Sequence, residues 1–440
     1  MYHATRLTNI LQEFSIPLIV GVIAGLAMAN IDHNFYEELV DYHVFGKSVE
    51  IFGRAVTSHF LINEIFMVFF FGVAAKEITE SVLPGGALNP IPKAINPLMG
   101  TLGGVLGPAG LFFLLTYIFY GGGDNFSVVA NGWGIPTATD IALAWLVARM
   151  VFGNGHPAVN FLLLLAVADD AIGLGIIAVF YPDPAHPVQP VWLLLTLGGM
   201  VTAFGMRKAN LRFWPAYILI AGGMSWMGLF KSSIEPALAL VVIVPFLPGP
   251  RTTLGLFTEE AHHEPSEHRD SAPESRWHHH HSPLDNFEHQ LKLFVDVGLF
   301  FFAFANAGVA FSSINAVTAI VLISLIAGKL IGVTVFSYVA ILLGFPLPTG
   351  MKLKHLIVAA TIAGLGLTVA LFVAGKAFTG PPFQDPAKMG AVLSAGVALI
   401  AFGLGYILKV KDGGGADLAE VEESEPVAET DALPEPGGAE

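Results

Sequence analysis

Three carboxylates and one amine stand where an apolar chain has least use for them. Asp140 follows Pro136, Thr137 and Thr139 in a run reading WGIPTATDIALAWLVARM. Asp169 and Asp170 stand side by side within NFLLLLAVADDAIGLGIIAVFY, and Lys329 interrupts the apolar stretch 316–343. A charge in hydrocarbon is costly, so an ionisable residue inside a membrane segment is read first as functional. Carboxylate oxygens, hydroxyls and backbone carbonyls suit a small hard cation. The same oxygens accept protons. Competition between proton and cation for one site, with access from alternate sides, is enough chemistry for exchange.

Successive residues of a helix point about 100° apart, so Asp169 and Asp170 cannot both aim at one spot. One is expected to face Asp140 across a cavity, and the other to face a cation or another part of the funnel. An isolated Lys329 ammonium in its apolar stretch loses its proton or finds a partner. A purely structural Asp–Lys pair is the competing reading. It leaves two acids unexplained, and buried ion pairs are poor stabilisers.

The elements that position these residues follow from composition. Of 440 residues 54% are hydrophobic and 13% charged, against about 25% charged in soluble domains. Separate apolar runs approach or exceed the ~20 residues of a spanning helix. The chain therefore reads as an all-α polytopic membrane protein with twelve spans: 16–29, 60–76, 97–120, two within 133–181, 191–206, 213–229, a short one at 236–246, 291–310, 316–343, 355–378 and 389–410. Ala27-Met28-Ala29 imitates a signal-peptidase site, but the weakly basic flank and the later spans argue against cleavage. Residues 1–13 form a polar start, 14–248 carry spans 1–8, 249–287 form a hydrophilic loop, 288–410 carry spans 9–12, and 411–440 form an acidic tail.

The loop holds seven histidines, including His278–His281, without fixed metal-ligand spacing, and reads as solvated. From Asp412 to Glu440 the chain carries ten acids and no Lys or Arg, which accounts for most of the net charge of −14. No basic patch points to nucleic acid, and the absence of Cys excludes disulfides and thiolate chemistry. Arg149, Arg207, Lys208, Arg212, Lys352, Lys354 and Lys409 fall on one side if twelve spans alternate. The positive-inside rule then puts both termini in the cytoplasm. His43–Phe45 and Ser48–Ile51 flank Gly46-Lys47, a pattern open to a small hairpin or an irregular loop.

Two spans are expected to be broken. Pro136 pushes Ile135 out of the helical region, and Thr137 and Thr139 can bond local backbone. This predicts an extended break over 136–139 and a half-helix starting at about Asp140, whose carboxylate then meets a helix N-terminus. Gly364-Leu365-Gly366-Leu367-Thr368 marks a second break or a close helix contact. Spans 3–5 and 10–12 are then two triplets, each interrupted in its middle member. Paired interruptions in two halves point to a transporter site between inverted repeats.

These residues resemble the NhaA family of Na+/H+ antiporters. The likeness is carried by Gly132-Trp133-Gly134-Ile135-Pro136 running into Ala138-Thr139-Asp140-Ile141-Ala142, by Asp169-Asp170, by Phe302-Ala303-Phe304-Ala305-Asn306-Ala307-Gly308-Val309 and by Gly328-Lys329, and extends over about residues 14–378. The resemblance implies broken helices that cross at mid-membrane. It makes Asp170 the main cation ligand and proton carrier and Asp169 its partner, with Thr139 and Asp140 at the crossing and Lys329 and Asp140 compensating charge. It implies electrogenic exchange of internal Na+ or Li+ for external H+, no cofactor, a role in pH homeostasis, residence in a prokaryotic inner membrane, and a homodimer through the loop around Gly46.

The chain departs from the family pattern in parts tied to pH regulation. Gly72-Val73-Ala74-Ala75-Lys76-Glu77-Ile78 replaces an acidic cluster after span 2, Glu235 stands for a His, and Leu330 for a Pro. Glu288 and His289 match a charged region before span 9; with Glu64 and Glu235 they are the candidate regulatory residues. Two other readings are a Na+-coupled symporter of an organic solute and an intramembrane aspartyl protease using Asp140 and Asp169. The protease leaves the tandem acid and Lys329 unexplained.

Overall fold

The computed structural model describes residues 16–83, 86–88, 91–121, 123–183, 187–249 and 282–410. The polar start, most of the His-rich loop and the acidic tail lie outside these residues. Seven helices are long and apolar enough to cross a membrane, and nine spans result if each of two bent pairs counts once. The remaining three expected spans are present in shorter or irregular form. Span 1 is a helix of 16 residues, Ile16–Ile31. Span 7 (214–232) contains a π-helical turn at Tyr217–Gly222. Span 8 (236–246) is a chain of 3-10 turns, Pro236–Leu238 and Val244–Phe246, joined by further turns.

The other spans are span 2 (Ser58–Val82), span 3 (Ile91–Tyr120), span 5 (Pro157–Phe180), span 6 (Pro190–Lys208), span 9 (Pro283–Ala307), span 10 (Ala316–Leu342) and span 12 (Pro381–Ile407). Span 9 starts earlier than hydropathy suggests. Ser282 and Asp285 form a reciprocal cap around Pro283 at the first helical position, a strong start signal that a polar first turn conceals from an apolar count. Glu288 and His289 therefore lie within the helix rather than before it. Span 12 likewise starts at Pro381, which brings Lys388 into the span with 8% of its surface exposed. Lys329 therefore shares with Lys388 the position of a basic residue inside a span.

A hairpin does follow span 1, but it turns elsewhere. β1 (Glu50–Ile51) pairs antiparallel with β2 (Arg54–Ala55), and the turn is Phe52-Gly53 rather than Gly46-Lys47. Both turn residues have positive φ, 51° and 83°, as a two-residue hairpin turn matching strand twist requires.

The helices sort into two bodies. Spans 3, 4, 5, 10, 11 and 12 pack mainly on one another, and so do spans 1, 2, 6, 7, 8 and 9. Within the first body, spans 3 and 10 approach through Gly103, Gly107, Gly328 and Gly332. A Cβ on Gly103 would lie 2.0 Å from the Gly332 carbonyl oxygen, and one on Gly332 would lie 1.9 Å from that of Gly103. Small residues four apart on both helices are what lets membrane helices touch backbone to backbone.

Candidate functional site

The site forms where spans 4 and 11 break. Span 4 runs as Phe126–Thr137 and Ile141–Phe152 with a bend of 51°; span 11 runs as Leu353–Ile362 and Leu367–Ala377 with a bend of 47°. Pro136 and Thr137 do not unwind. They lie in a 3-10 helix, Asn131–Thr137, and the chain becomes extended only at Ala138. The 3-10 form accommodates Pro136, whose missing N–H is one lost bond in an already short helix. The Thr137 hydroxyl closes the turn by donating to the Gly134 carbonyl at 2.8 Å. In span 11 the break covers Gly364 and Gly366, whereas Thr368 sits in the first turn of the second half-helix.

The two breaks cross and bond. The Asp140 backbone N–H donates to the Leu365 carbonyl at 2.6 Å, and the Thr139 hydroxyl donates to the Ala363 carbonyl at 2.8 Å. Asp140 is 4% exposed and serves both half-helix N-termini. Its Oδ1 accepts from Leu143 N–H at 3.1 Å, and its Oδ2 accepts from Thr368 N–H at 3.2 Å and the Thr368 hydroxyl at 2.5 Å. One negative charge thus meets two positive dipole ends. On the other side of the crossing, the Lys329 ammonium donates to the Thr137 carbonyl at 2.5 Å and pairs with Asp169. Lys329 follows a π-helical turn, Ser324–Gly328, and both it and Asp169 are fully buried. Asp140 and Asp169 are engaged by different partners and do not form the shared pair that an aspartyl protease needs.

Asp170 is set apart. A cavity of about 230 Å³, room for several waters, is lined by Thr139, Asp140, Asp170 and Thr368 from the first body and by Phe70, Glu77, Glu288 and Lys292 from the second. Asp169 does not line it. The Asp170 Oδ1 is buried without a hydrogen-bond partner. Among the described residues no three His, Asp or Glu side chains converge as a metal cage, so a cation here takes ligands from hydroxyl, backbone or water as well as carboxylate.

The candidate regulatory residues separate. Glu64 and Glu235 meet at one end of the bundle, where the Lys376 ammonium bonds Glu64 at 2.9 Å and Glu235 at 2.8 Å. Glu288 lies at the other end, paired with Lys76, which also bonds Glu80 at 2.7 Å. His289 does not line the cavity, whereas Glu77 and Lys292 do. Sequence reading missed these two and Lys376. The available signal was helical spacing: Glu288 and Lys292 are four apart and share a face.

Interrupted helices that cross at buried charges, with a cavity between two bodies of spans, define a membrane transporter. A family model described as Na+/H+ antiporter 1 matches residues 7–408. A Na(+)/H(+) antiporter NhaA of Geobacter metallireducens is 54% identical over 405 residues, covering 92% of this chain and 98% of that one. The Geobacter sulfurreducens protein of the same name is 53% identical over 404 residues, with the same coverage, and that of Desulfitobacterium hafniense is 54% identical, covering 92% and 96%. The chain belongs to the NhaA family of Na+/H+ antiporters, and so is a multi-pass bacterial membrane protein. A solved sodium proton antiporter of Methanocaldococcus jannaschii superposes with a TM-score of 0.45 at 13% identity, covering 89% of this chain and 97% of that one; at that level it adds nothing to the assignment.

Proposed function

We propose that this Na+/H+ antiporter exchanges internal Na+ or Li+ for external H+ at Asp170, by alternating access. One observation carries the assignment: of the adjacent acids, Asp169 is held by Lys329 away from the cavity while Asp170 lines it. Thr139 and Asp140 stand beside it. Asp170 takes up Na+ or H+ in competition. Asp169 releases or regains the Lys329 ammonium as the net charge at the site changes. Two carboxylates serving one Na+ can carry more protons than cations, so exchange is electrogenic and supports pH homeostasis. The cation and proton are substrates, and no cofactor takes part. The cavity faces the cytoplasm, where both termini lie in the positive-inside reading, and the membrane is the inner one. Exposed Tyr42, Val44, Phe45 and Phe52 around the hairpin support a homodimer through that loop, since clustered exposed apolar residues mark contact sites.

The test is Asp170→Asn in everted vesicles. Na+-induced collapse of an imposed pH gradient disappears, while Tm in detergent stays near that of the parent. Full exchange by this variant overturns the assignment. Solute-stimulated Na+ uptake would instead support a symporter.

A further inference from the structure

The cavity and the ion pairs divide the molecule unequally. The cavity lies between the two bodies and opens at the end of Glu77, Glu288 and Lys292. Glu64 is thirteen residues before Glu77 on span 2, about 20 Å away along the helix. At that far end a hollow of about 300 Å³ beside Arg54, Asp183, Glu235 and Lys376 stops short of Thr139, Asp140 and Asp170, so the bodies are closed between it and the site, and two sets of ion pairs there cross the boundary. Lys376, at the end of span 11, bonds Glu64 of span 2 and Glu235 at the start of span 8. Arg54 of the hairpin pairs with Asp183, just past span 5. At the cavity end, by contrast, Lys76 of span 2 pairs with Glu80 of its own helix and with Glu288 of span 9, all within one body.

We propose that Lys376 is the bolt of the closed face: its ammonium, set between Glu64 and Glu235, holds the two bodies shut there, and each turnover withdraws it. The inference rests on the alternating-access reading of the same site. The Glu64 and Glu235 side chains are 9% and 3% exposed, and Glu64 Oε2 has no hydrogen-bond partner. Removing the lysine while the face stays shut would leave the buried Glu235 without that counter-charge and Glu64 with Arg54 alone, at 4.0 Å, an unfavourable arrangement. The bolt therefore leaves only as water enters between the bodies, which couples its release to opening. Lys376 also lies in the half-helix whose N-terminus Asp140 caps. A movement of that half-helix relative to spans 2 and 8 thus shifts site and bolt together.

The absence of native Cys makes thiol probes clean. Ala237→Cys reports the closed face, being fully buried beside Glu235, and Ala74→Cys reports the cavity it lines. With an impermeant maleimide, Lys376→Met is expected to raise labelling at 237 about tenfold and to lower it at 74, a population shift toward the opposite opening. Lys376→Arg is expected to keep the parent rates. Unchanged labelling at both positions in Lys376→Met overturns the proposal. Independently, Glu235→Cys with Lys376→Cys, bridged by a bifunctional thiosulfonate, is expected to stop exchange until reductant restores it. Exchange persisting after complete bridging also overturns it. The labelling readout needs no transport, and the parent's own exchange tests the antiport reading separately.

Discussion

Spans 4 and 11 break at one crossing, and they break by different means. Span 4 carries polar side chains into its break: Thr137 closes the first half, Thr139 bonds across, and Asp140 caps the second half. Span 11 brings almost no side chain. A Cβ on Gly364 would lie 3.0 Å from the Leu325 carbonyl oxygen, and one on Gly366 would lie 3.0 Å from that of Ala138 and 2.7 Å from Leu325 Cδ2. Span 4 supplies the chemistry and span 11 supplies the room. Because the crossing places both half-helix N-termini on Asp140, the second break needs no acid of its own.

That contrast can be broken most severely at Asp140. Asp140→Ala removes the acceptor of three buried donors, each costing about 1–3 kcal/mol when left unsatisfied. Exchange is expected to fall more than tenfold and Tm to drop sharply, while Asp140→Asn, which keeps one acceptor oxygen, falls between it and the parent. Equal Tm for Asp140→Ala and the parent would mean that the carboxylate does not hold the two ends.

Gly366→Ala tests the room. The added methyl meets a backbone carbonyl that cannot swing away, so a loss of about 1–3 kcal/mol is expected from overpacking. The readout is thermal melting together with the Na+ KM for exchange. If span 11 instead needed glycine only for its backbone freedom, the variant would be nearly neutral, since Gly366 has φ of −118°.

Thr368→Val keeps the shape and removes one hydroxyl donor to Asp140. A loss of about 1.5 kcal/mol is expected, the low end for a hydrogen bond to a charged group, seen as a small drop in Tm. Pro136→Ala is expected to matter least, within about 1 kcal/mol, because the break begins after Thr137 and not at the proline. A large effect there would restore Pro136 as the cause of the break.

Much of this was legible in the chain. That Lys329 needs a buried acid follows from charge scarcity, whereas Asp169 as its partner was implied by the family resemblance and is the pairing the structure has. The half-helix start at Asp140 follows from its value as an N-cap. The hairpin turn was misplaced because Gly46 looked like the better turn residue, whereas the bridge and strand register put Phe52 in the left-handed position. Span 8 kept its place but not its regular helix.

What the sequence by itself determined is local or obligatory: which segments are apolar enough to be spans, that the fourth cannot be one regular helix, and which buried charges cannot stand alone. Tertiary structure alone decided which acid of the Asp169-Asp170 pair faces the cavity, that one carboxylate caps two helices, and that Lys376 joins two glutamates across the boundary between the bodies. The physical reason is direction. Hydropathy and spacing fix a residue's depth along a helix, but only packing fixes which way its side chain points and which distant element meets it there.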